Sequence, residues 1–456
     1  MKIKVSLAIL ACRLTRLALR MLKRGGTALP GKVALKICPD LIAVLAKDAH
    51  IIAVTGTNGK TTSSRIMEQA LADAGLNYFA NRSGSNLIQG ITADFADNAT
   101  LGGKLKKDWA VIECDEAATK KVFALMQPEV VLVTNVFRDQ VDRFSDVTVT
   151  LESIRTGLLG APNATVCLNA DCSLTASLAD DIPNKVVFYG VDAELYKTRV
   201  AEQSDAPCCL RCGATYQYGH RTYGHLGDWS CPDCGAKRPA PAFSVTQLLQ
   251  SDSDGSRVTL RTNDEERECY VNLPGGYNVY NAIGAVAAVA TAGIPLDAAL
   301  SACRDFRCGF GRMERFTLGN TPVRMILIKN TAGCNQVLNF LANLESPARF
   351  VICLNNNIAD GTDISWIQDV DFEMLVGMGD KLQSVTVAGT RAQDMAQRLQ
   401  EAGIAEDKLC VCTDYGELLD AVAAAETPVF IMPTYTAMLE LRERISRITD
   451  CGDFWE

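Results

Sequence analysis

The chain comprises 456 residues, of which 48% are hydrophobic and 21% are charged. The length predicts about three domains. The composition is ordinary for a globular protein and excludes a largely disordered chain. The formal net charge of −8 argues against a nucleic-acid-binding surface that extends over the whole molecule. Eighteen scattered cysteines, with no signal peptide before them, favour a metal cluster in the reducing cytoplasm over a disulfide scaffold.

The N-terminal segment, residues 1–45, is basic and amphipathic. Residues 1–36 contain nine Lys or Arg and no acidic residue, and the apolar run at 5–12 is too short to span a membrane. The basic residues that follow this run at helical spacing are Arg13, Arg16, Arg20, Lys23 and Arg24. One interpretation is a packing helix with a solvated face. The other is attraction to an anionic substrate or to anionic lipid headgroups, which predicts peripheral contact with the inner face of the membrane.

A β-branched run, a glycine-rich loop and a helical pattern follow one another between residues 51 and 74, and they predict a strand, a loop and a helix. Polar residues also follow three further predicted strands, at 109–112, 130–133 and 166–168. This order predicts an open parallel α/β sheet that binds its ligand at the carboxyl edge of the strands. We assign the sheet to a central domain over residues 46–315.

The loop after the first strand is suited to binding phosphate. Its sequence is Gly56-Thr57-Asn58-Gly59-Lys60-Thr61. Glycines allow backbone N–H groups to turn toward phosphate oxygens, and the following helix directs its positive end at the same anion. We expect Lys60 on the β- and γ-phosphates of a nucleotide and the Thr61 hydroxyl on Mg²⁺.

The stretch from Thr55 to Thr62 resembles the ATP loop of the Mur ligase superfamily. The resemblance implies ATP and Mg²⁺ as cofactors, with Thr62 as a further contact to the nucleotide. It also implies that Glu113, at the end of its strand, binds magnesium together with Thr61. Glu116 is the alternative magnesium ligand.

Further matches to the superfamily lie later in the chain. Asn278 resembles the asparagine that contacts the nucleotide at the start of a helix, and Arg312 resembles the arginine that reaches the ATP phosphates. Thr134-Asn135, with Asp139 and Asp142, resembles the superfamily's T-N-x-x-x-D-H-x-D stretch. Gln140 stands where the superfamily usually has a magnesium-binding histidine, so no second magnesium ligand is assigned.

Two Cys-x-x-Cys-Gly knuckles, separated by an 18-residue spacer, lie within residues 205–241. Their cysteines are Cys209, Cys212, Cys231 and Cys234. Four thiolates at this spacing suit a tetrahedral, structural Zn²⁺, so the segment predicts a zinc ribbon inserted in the central domain. Cys208 could replace its neighbour but breaks the knuckle spacing. The ribbon is not notably basic, and we expect no nucleic acid as a partner.

Residues 316–456 predict a second, smaller α/β domain, because four apolar runs alternate there with helical patterns. A loop rich in amides and carboxylates follows the predicted strand at 350–354 and contains Asp360 and Asp363. Such a composition after a strand is typical of a functional site. The alternative is a polar turn in which Asp363 caps a helix.

The ribbon and four later motifs together resemble one subfamily, MurT, the synthetase subunit of lipid II isoglutaminyl synthase. Those motifs lie at 329–336, 359–366, 369–373 and 433–438. The resemblance implies ATP-dependent amidation of the D-glutamate α-carboxylate in the lipid II stem peptide, giving D-isoglutamine through an acyl phosphate.

Ammonia for this reaction is expected to come from another polypeptide. The chain has only His50, His220 and His225 as histidines, and its sequence shows no Cys–His pair suited to hydrolysing glutamine. The resemblance therefore implies a heterodimer with a GatD-type glutaminase, whose catalytic histidine is oriented by Asp360 or Asp363. The alternatives are an amino-acid-adding ligase of the Mur or folylpolyglutamate type and a nucleotide-binding scaffold.

Overall fold

The structure is a computed structural model that describes residues 2–22, 28–81, 85–138, 147–196, 205–262, 265–306 and 312–449, with only the backbone of Arg312. Lys23 and Arg24 of the basic segment and Asp139, Gln140 and Asp142 lie outside this part of the chain.

Seventeen strands are found in the described residues, and they form two large sheets and one hairpin. In chain order they are β1 (His50–Thr55), β2 (Tyr78–Ala80), β3 (Trp109–Glu113), β4 (Val130–Val133), β5 (Thr165–Asn169), β6 (Val186–Val191), β7 (Gln217–Tyr223), β8 (Leu226–Ser230), β9 (Phe243–Ser251), β10 (Ser256–Arg261), β11 (Glu266–Val271), β12 (Arg312–Leu318), β13 (Thr321–Ile326), β14 (Ala348–Cys353), β15 (Leu382–Ala388), β16 (Leu409–Val411) and β17 (Val429–Pro433).

The helices pack on the faces of the two sheets. In chain order they are α1 (Lys2–Met21), α2 (Ala28–Ile37), α3 (Leu41–Ala46), α4 (Lys60–Asp73), α5 (Ile88–Asp97), α6 (Thr119–Met126), α7 (Val147–Leu159), α8 (Ser173–Ser177), α9 (Gly276–Thr291), α10 (Leu296–Asp305), α11 (Thr331–Ala342), α12 (Glu373–Val376), α13 (Ala392–Glu401), α14 (Tyr415–Ala423) and α15 (Tyr435–Ile448).

The first sheet has nine strands in the order β11-β10-β9-β6-β5-β4-β1-β3-β2. The strands from β9 to β2 pair in parallel, whereas β9, β10 and β11 pair antiparallel at one edge. Four residues of β4, Val-Val-Leu-Val, are all buried, as expected for a strand covered by helices on both faces. The α/β fold with a central parallel sheet, predicted from the sequence, is confirmed.

The order of the first sheet explains where its site lies. Strand β1 is placed between β3 and β4, and all three run in the same direction. Their carboxyl ends therefore meet at one edge of the sheet, and the residues that follow them become neighbours. These residues are the glycine-rich loop after β1, Glu113 at the end of β3 and Thr134-Asn135 after β4.

The basic N-terminal segment contains α1, α2 and most of α3, and α1 packs on α2 and α5. Its inner face buries Val5, Ala8, Ile9 and Cys12 against the first sheet's helices. Within the described part of the chain, no helix has both the length and the apolar character that crossing a bilayer requires.

The second sheet has six strands in the order β12-β13-β17-β14-β15-β16, and all neighbours except β12 and β13 are parallel. Strand β12 starts at Arg312 and pairs with β13, so the residues on both sides of position 316 belong to this sheet. The hairpin of β7 and β8 is a separate two-stranded sheet in the segment that contains the cysteine knuckles.

Candidate functional site

The glycine-rich loop between β1 and α4 has a backbone that only glycine adopts easily. Gly56 and Gly59 have φ angles of 119° and 88°. A Cβ atom on Gly59 would lie 2.0 Å from Oδ1 of Asn281. The glycines therefore let the loop turn tightly against α9 and direct the first N–H groups of α4 into the space in front of it.

Lys60 is folded over the loop that precedes it. Its Nζ donates to the carbonyl oxygens of Gly56, at 2.5 Å, and Thr57, at 3.3 Å, and to Oε1 of Glu116, at 2.9 Å. Burial lowers the pKa of Lys60, but the carboxylates of Glu116 and Glu113 outweigh this effect, and the pKa is raised above its ordinary value. The lysine is thus a firmly protonated cation beside the loop.

Thr61 and Glu113 are in direct contact. The hydroxyl of Thr61 donates to Oε2 of Glu113 over 2.8 Å, and Glu113 is 8% exposed. Asn81 holds the glutamate from behind, because its Oδ1 accepts from the Glu113 N–H and its Nδ2 donates to the Glu113 carbonyl. A hydroxyl and a carboxylate placed in this way are oxygen ligands of the kind that Mg²⁺ binds beside phosphates.

The residues after β4 fix the middle of the loop. Asn135 accepts from the Asn58 N–H at Oδ1 and donates from Nδ2 to the Asn58 carbonyl. The hydroxyl of Thr134 also donates to that carbonyl, at 2.7 Å. Thr57 is held likewise, because its hydroxyl exchanges hydrogen bonds with the backbone of Phe137. Hydrogen bonds from the residues after β4 therefore organise the middle of the loop.

A cavity of about 240 Å³ lies in front of the loop and is lined by residues of both sheets. Three amide side chains that line it have a buried nitrogen without a hydrogen-bond partner in the described structure: Asn58 Nδ2, Asn330 Nδ2 and Gln336 Nε2. Buried donors of this kind are normally satisfied. Orphaned donors beside a protonated lysine fit a polyanionic ligand such as the triphosphate of ATP.

Most of the sequence-predicted nucleotide residues line this cavity. They are Thr57, Asn58, Gly59, Lys60, Thr61, Thr62, Glu113 and Asn278. Glu116 lines it too, and Gly56 lies at the start of the loop. Arg312 is at the first residue of β12, and its side chain is outside the described part of the structure. Sequence reasoning missed the cavity-lining Asn86, Tyr223 and Tyr277 and did not place the 329–336 motif opposite the loop.

The four knuckle cysteines converge. Their sulfur atoms all lie within 4.8 Å of one another, with Cys209 and Cys231 buried and Cys212 and Cys234 exposed. Each knuckle contains a glycine in the left-handed region, Gly213 and Gly235, as a tight turn around a metal requires. Four soft sulfur ligands in a closed set match a structural metal site.

The ribbon is attached to the first sheet at the residues after β5. Trp229 Nε1 donates to the Ala170 carbonyl at 2.9 Å, and Arg238 forms an ion pair with the fully buried Asp171 at 2.7 Å. Tyr280 of α9 donates to the same carboxylate at 2.5 Å. Burial raises the pKa of Asp171 in spite of these partners. The ribbon and α9 therefore share one buried anchor.

A Cys–His contact that the sequence did not reveal lies beneath the ribbon. His225 Nε2 is 3.3 Å from Cys172 Sγ, and the His225 ring packs 4.5 Å from that of Phe137. Both members of the pair are 0% exposed. Glutamine cannot reach a nucleophile that is sealed in this way, so the pair joins the ribbon to the sheet. His225 is a buried packing residue and not a member of the cysteine cluster.

In the second sheet, the loop at residues 355–365 follows β14 at the carboxyl edge. Asp360 accepts from the N–H and the hydroxyl of Thr436, at 2.7 and 2.5 Å, which attaches it to the start of α15. Asp363 is exposed and accepts from the N–H and hydroxyl of Ser365. The two aspartates are thus held differently: one is half-buried against a helix and the other lies at the surface.

Two protein-family models match the chain, one in each of its two α/β regions. The family model for the Mur ligase middle domain matches residues 54–209, and that for the MurT ligase C-terminal domain matches residues 327–438. A solved pseudomurein peptide ligase type C from Methanothermus fervidus has a TM-score of 0.66 at 21% identity, covering 88% of this chain and 79% of the ligase. That likeness establishes the fold.

Two curated relatives extend over almost the whole chain. The Streptococcus pneumoniae R6 subunit MurT of lipid II isoglutaminyl synthase (glutamine-hydrolyzing) is 34% identical over 98% of both chains. The corresponding subunit of Staphylococcus aureus COL is 30% identical over the same shares. These matches confirm the resemblance inferred from the sequence. The chain belongs to the MurT family of Mur-ligase-like subunits.

Proposed function

We propose that this chain is the ATP-dependent ligase subunit of a lipid II isoglutaminyl synthase. It would amidate the D-glutamate α-carboxylate of the lipid II stem peptide during peptidoglycan synthesis. The observation that carries the proposal is the cavity between the two sheets, with a protonated Lys60 and orphaned amide donors, in a chain of the MurT family. ATP and the reduced cysteines favour a cytoplasmic reaction.

The first step activates the carboxylate. A carboxylate oxygen attacks the γ-phosphorus of ATP, ADP leaves, and an acyl phosphate forms. Lys60 would release its contact with Glu116 and stabilise the charge on the phosphoryl group that is transferred. The N–H groups at the start of α4 would bind the remaining phosphates, and Asn278 would contact the nucleotide at the start of α9.

Magnesium fits the pair formed by Thr61 and Glu113. When bound there, Mg²⁺ neutralises charge on the β- and γ-phosphates. Asn81 keeps the glutamate in place through both of its backbone groups. Glu116 is engaged with Lys60 and is the weaker candidate for a ligand.

The second step is capture of the acyl phosphate by nitrogen. Ammonia attacks the acyl carbon, phosphate leaves with the former carboxylate oxygen, and loss of a proton gives the amide. The lysine–asparagine motif at the start of α11 faces the nucleotide loop across the cavity, so Lys329 and Asn330 are positioned to orient the acyl group. Gln336 presents a further donor on the same helix.

The ammonia source would be a GatD-type glutaminase subunit in a heterodimer. Among the described residues, the one Cys–His contact is the sealed pair of Cys172 and His225, which cannot act on glutamine. The loop at 355–365 offers a surface for such a partner, because Ile358 at its tip is 94% exposed. Asp360 and Asp363 follow that tip two and five residues later along the loop. We favour Asp360 as the residue that orients the partner's histidine.

We further propose that Cys209, Cys212, Cys231 and Cys234 bind one structural Zn²⁺. Metal analysis of the purified chain should give about one zinc per chain, and chelation should lower the unfolding temperature. Cys212→Ser should lower it similarly, because it removes an exposed ligand without opening the core. Cys410→Ser, at another exposed cysteine, should not. A metal-free chain of unchanged stability would contradict the assignment.

The amidation is tested with the chain, a glutaminase of this type, lipid II, ATP and glutamine. Mass spectrometry should show conversion of an acid to an amide in the stem peptide, with nitrogen that derives from the glutamine side chain. Ammonium at high concentration should replace the glutaminase. If the chain alone instead adds an amino acid, it is a ligase of the Mur or folylpolyglutamate type. Absence of substrate-dependent ATP hydrolysis would indicate a scaffold.

A further inference from the structure

Helix α1 has a second apolar face, which points away from the protein. Its members are Ile3, Leu7, Leu10, Leu14, Leu17 and Met21, and their exposed fractions range from 43% to 78%. They recur at intervals of three or four residues, so they form one row along the helix. We call this row the leucine stripe. No other helix in the described ranges carries a comparable row of exposed large apolar side chains.

The stripe is held outward by contacts on the opposite side of the helix. Val5 and Ile9 are buried there, and Arg16 forms ion pairs with Asp94, at 3.1 Å, and Asp97 of α5. Arg13 donates to carbonyl oxygens at the carboxyl end of α5, among them that of Ala96 at 3.0 Å. The helix therefore cannot bury its stripe by rolling over without breaking these contacts.

Basic side chains border the stripe. Lys2, Lys4 and Arg20 of α1 are exposed, as are Lys32 and Lys36 of the adjacent α2. Residues 1–36 contain nine of the chain's basic residues and none of its 53 acidic residues, although the whole chain has a net charge of −8. An apolar row with a rim of one positive sign complements an anionic lipid surface, where leucine enters the acyl boundary and lysine meets headgroups.

The apolar area continues beyond the helix. Ser6 donates from its hydroxyl to the carbonyl of Leu101 over 2.7 Å, which places this leucine, 48% exposed, beside the first turns of α1. Lys104 follows in the same turn and is exposed. A second segment thus brings an exposed leucine and an exposed lysine close to α1. A row of exposed large apolar side chains such as the leucine stripe marks an interaction site.

We propose that the leucine stripe docks α1 flat on the surface of an anionic bilayer. One face of the helix stays on the protein while the other enters the headgroup region, so the contact is peripheral. The inference goes beyond the proposed amidation, because it rests on the helix and needs neither nucleotide nor partner. It would bring the ligase to the surface from which a lipid-linked substrate is presented.

Vesicle flotation of the full chain tests the contact, with no ATP, lipid II or glutaminase present. The chain should bind vesicles of phosphatidylglycerol and phosphatidylcholine, bind pure phosphatidylcholine far less, and dissociate as salt is raised. The double variant Leu10→Gln/Leu14→Gln should bind about tenfold or more weakly, because two inserted leucines are lost. The matched control, Leu159→Gln/Leu249→Gln, alters leucines of similar exposure elsewhere and should bind like the unchanged protein.

The outcomes separate this proposal from its rivals. Thermal unfolding should be the same for both double variants, since all four leucines are exposed. The proposal is overturned if the unchanged chain fails to float or if the stripe variant floats equally well. It is also overturned if the stripe substitutions instead abolish a dimer of the chain or its complex with a glutaminase. The amidation is decided separately, by formation of the amide with ammonium as the nitrogen source, so failure of the membrane contact and failure of the proposed function are distinguishable.

Discussion

The nucleotide loop and the loop at 355–365 occupy equivalent places in the two sheets. Each follows a strand that lies between two parallel neighbours, β1 in the first sheet and β14 in the second. In the first, Lys60 is 13% exposed at its side chain and satisfied by its own loop and Glu116. In the second, Ile358 is 94% exposed and Asp363 lies at the surface.

This difference indicates two kinds of site. The nucleotide loop faces a cavity lined by polar side chains of this chain, where release of Lys60 from Glu116 would present a cation to a small anion. The second loop places Asp363 and the apolar tip toward solvent, whereas Asp360 is half-buried against α15. An exposed isoleucine in a loop that also carries an exposed carboxylate is better explained by a second polypeptide than by a small substrate.

The comparison is tested most severely by Lys60→Ala. Removal of the cation beside the phosphates should lower the rate of amidation by roughly 10³-fold, because the negative charge on the phosphoryl group is then not neutralised during its transfer. The measurement is amide formation in lipid II with the glutaminase present. Lys185→Ala, at an exposed lysine away from both sites, is the control. Glutamine hydrolysis by the complex should persist, and normal amidation by Lys60→Ala would refute the assignment of the loop.

Substitution of Asp360 in the second loop should lower glutamine hydrolysis and leave ammonium-dependent amidation intact, the reverse of Lys60→Ala. Asp360→Asn is expected to lower glutamine hydrolysis by the complex about 10²-fold, as loss of a carboxylate that orients a histidine does, while ammonium-dependent amidation is retained. Asp363→Asn should change hydrolysis little. Thr436→Val removes the hydroxyl hydrogen bond to Asp360 but keeps the Asp360 carboxylate. If Asp360 acts on the partner's histidine, this variant should keep most of the glutamine hydrolysis. If Asp360 only anchors α15, the variant should lose as much as Asp360→Asn does. Full hydrolysis in both Asn variants would exclude this role.

Within the nucleotide site, Glu113→Gln and Glu116→Gln should differ in the Mg²⁺ concentration that amidation requires. Loss of the carboxylate beside Thr61 should raise the Mg²⁺ concentration for half-maximal activity by about tenfold or more. Loss of Glu116 removes the contact that holds Lys60 away from phosphate, so it should leave Mg²⁺ dependence nearly unchanged. A magnesium titration of ATP-dependent amidation measures both. A larger shift for Glu116 would reverse the assignment of the ligand.

Much of the nucleotide site could be predicted from the sequence because each of its motifs directly follows a predicted strand. The glycine loop, Glu113 and Thr134-Asn135 each end an apolar run, and parallel strands bring such ends to one edge. The fold class and the family resemblance followed from these patterns and were confirmed.

Contacts between distant segments were not readable in the same way. Tyr223 enters the cavity wall, and His225 meets Cys172, because the inserted ribbon folds back onto the sheet. The hydrogen bonds of Asp360 to Thr436 depend on β14 and β17 being neighbours. Such pairs are decided by how elements pack, which no local periodicity encodes. The cysteine spacing revealed the cluster but not its anchor on Asp171.

The smallest expected effect concerns the tip of the second loop. Ile358→Ser removes an apolar side chain that is almost entirely exposed, so the chain should fold and carry out ammonium-dependent amidation as before. If the tip enters a pocket of the glutaminase, the dissociation constant of the complex should rise about fivefold to tenfold, as expected for one buried aliphatic contact. Calorimetric titration of the two subunits measures this, with Ile448→Ser as the control at another exposed isoleucine. An unchanged affinity would place the partner elsewhere, and the outward-facing loop would then need a different occupant.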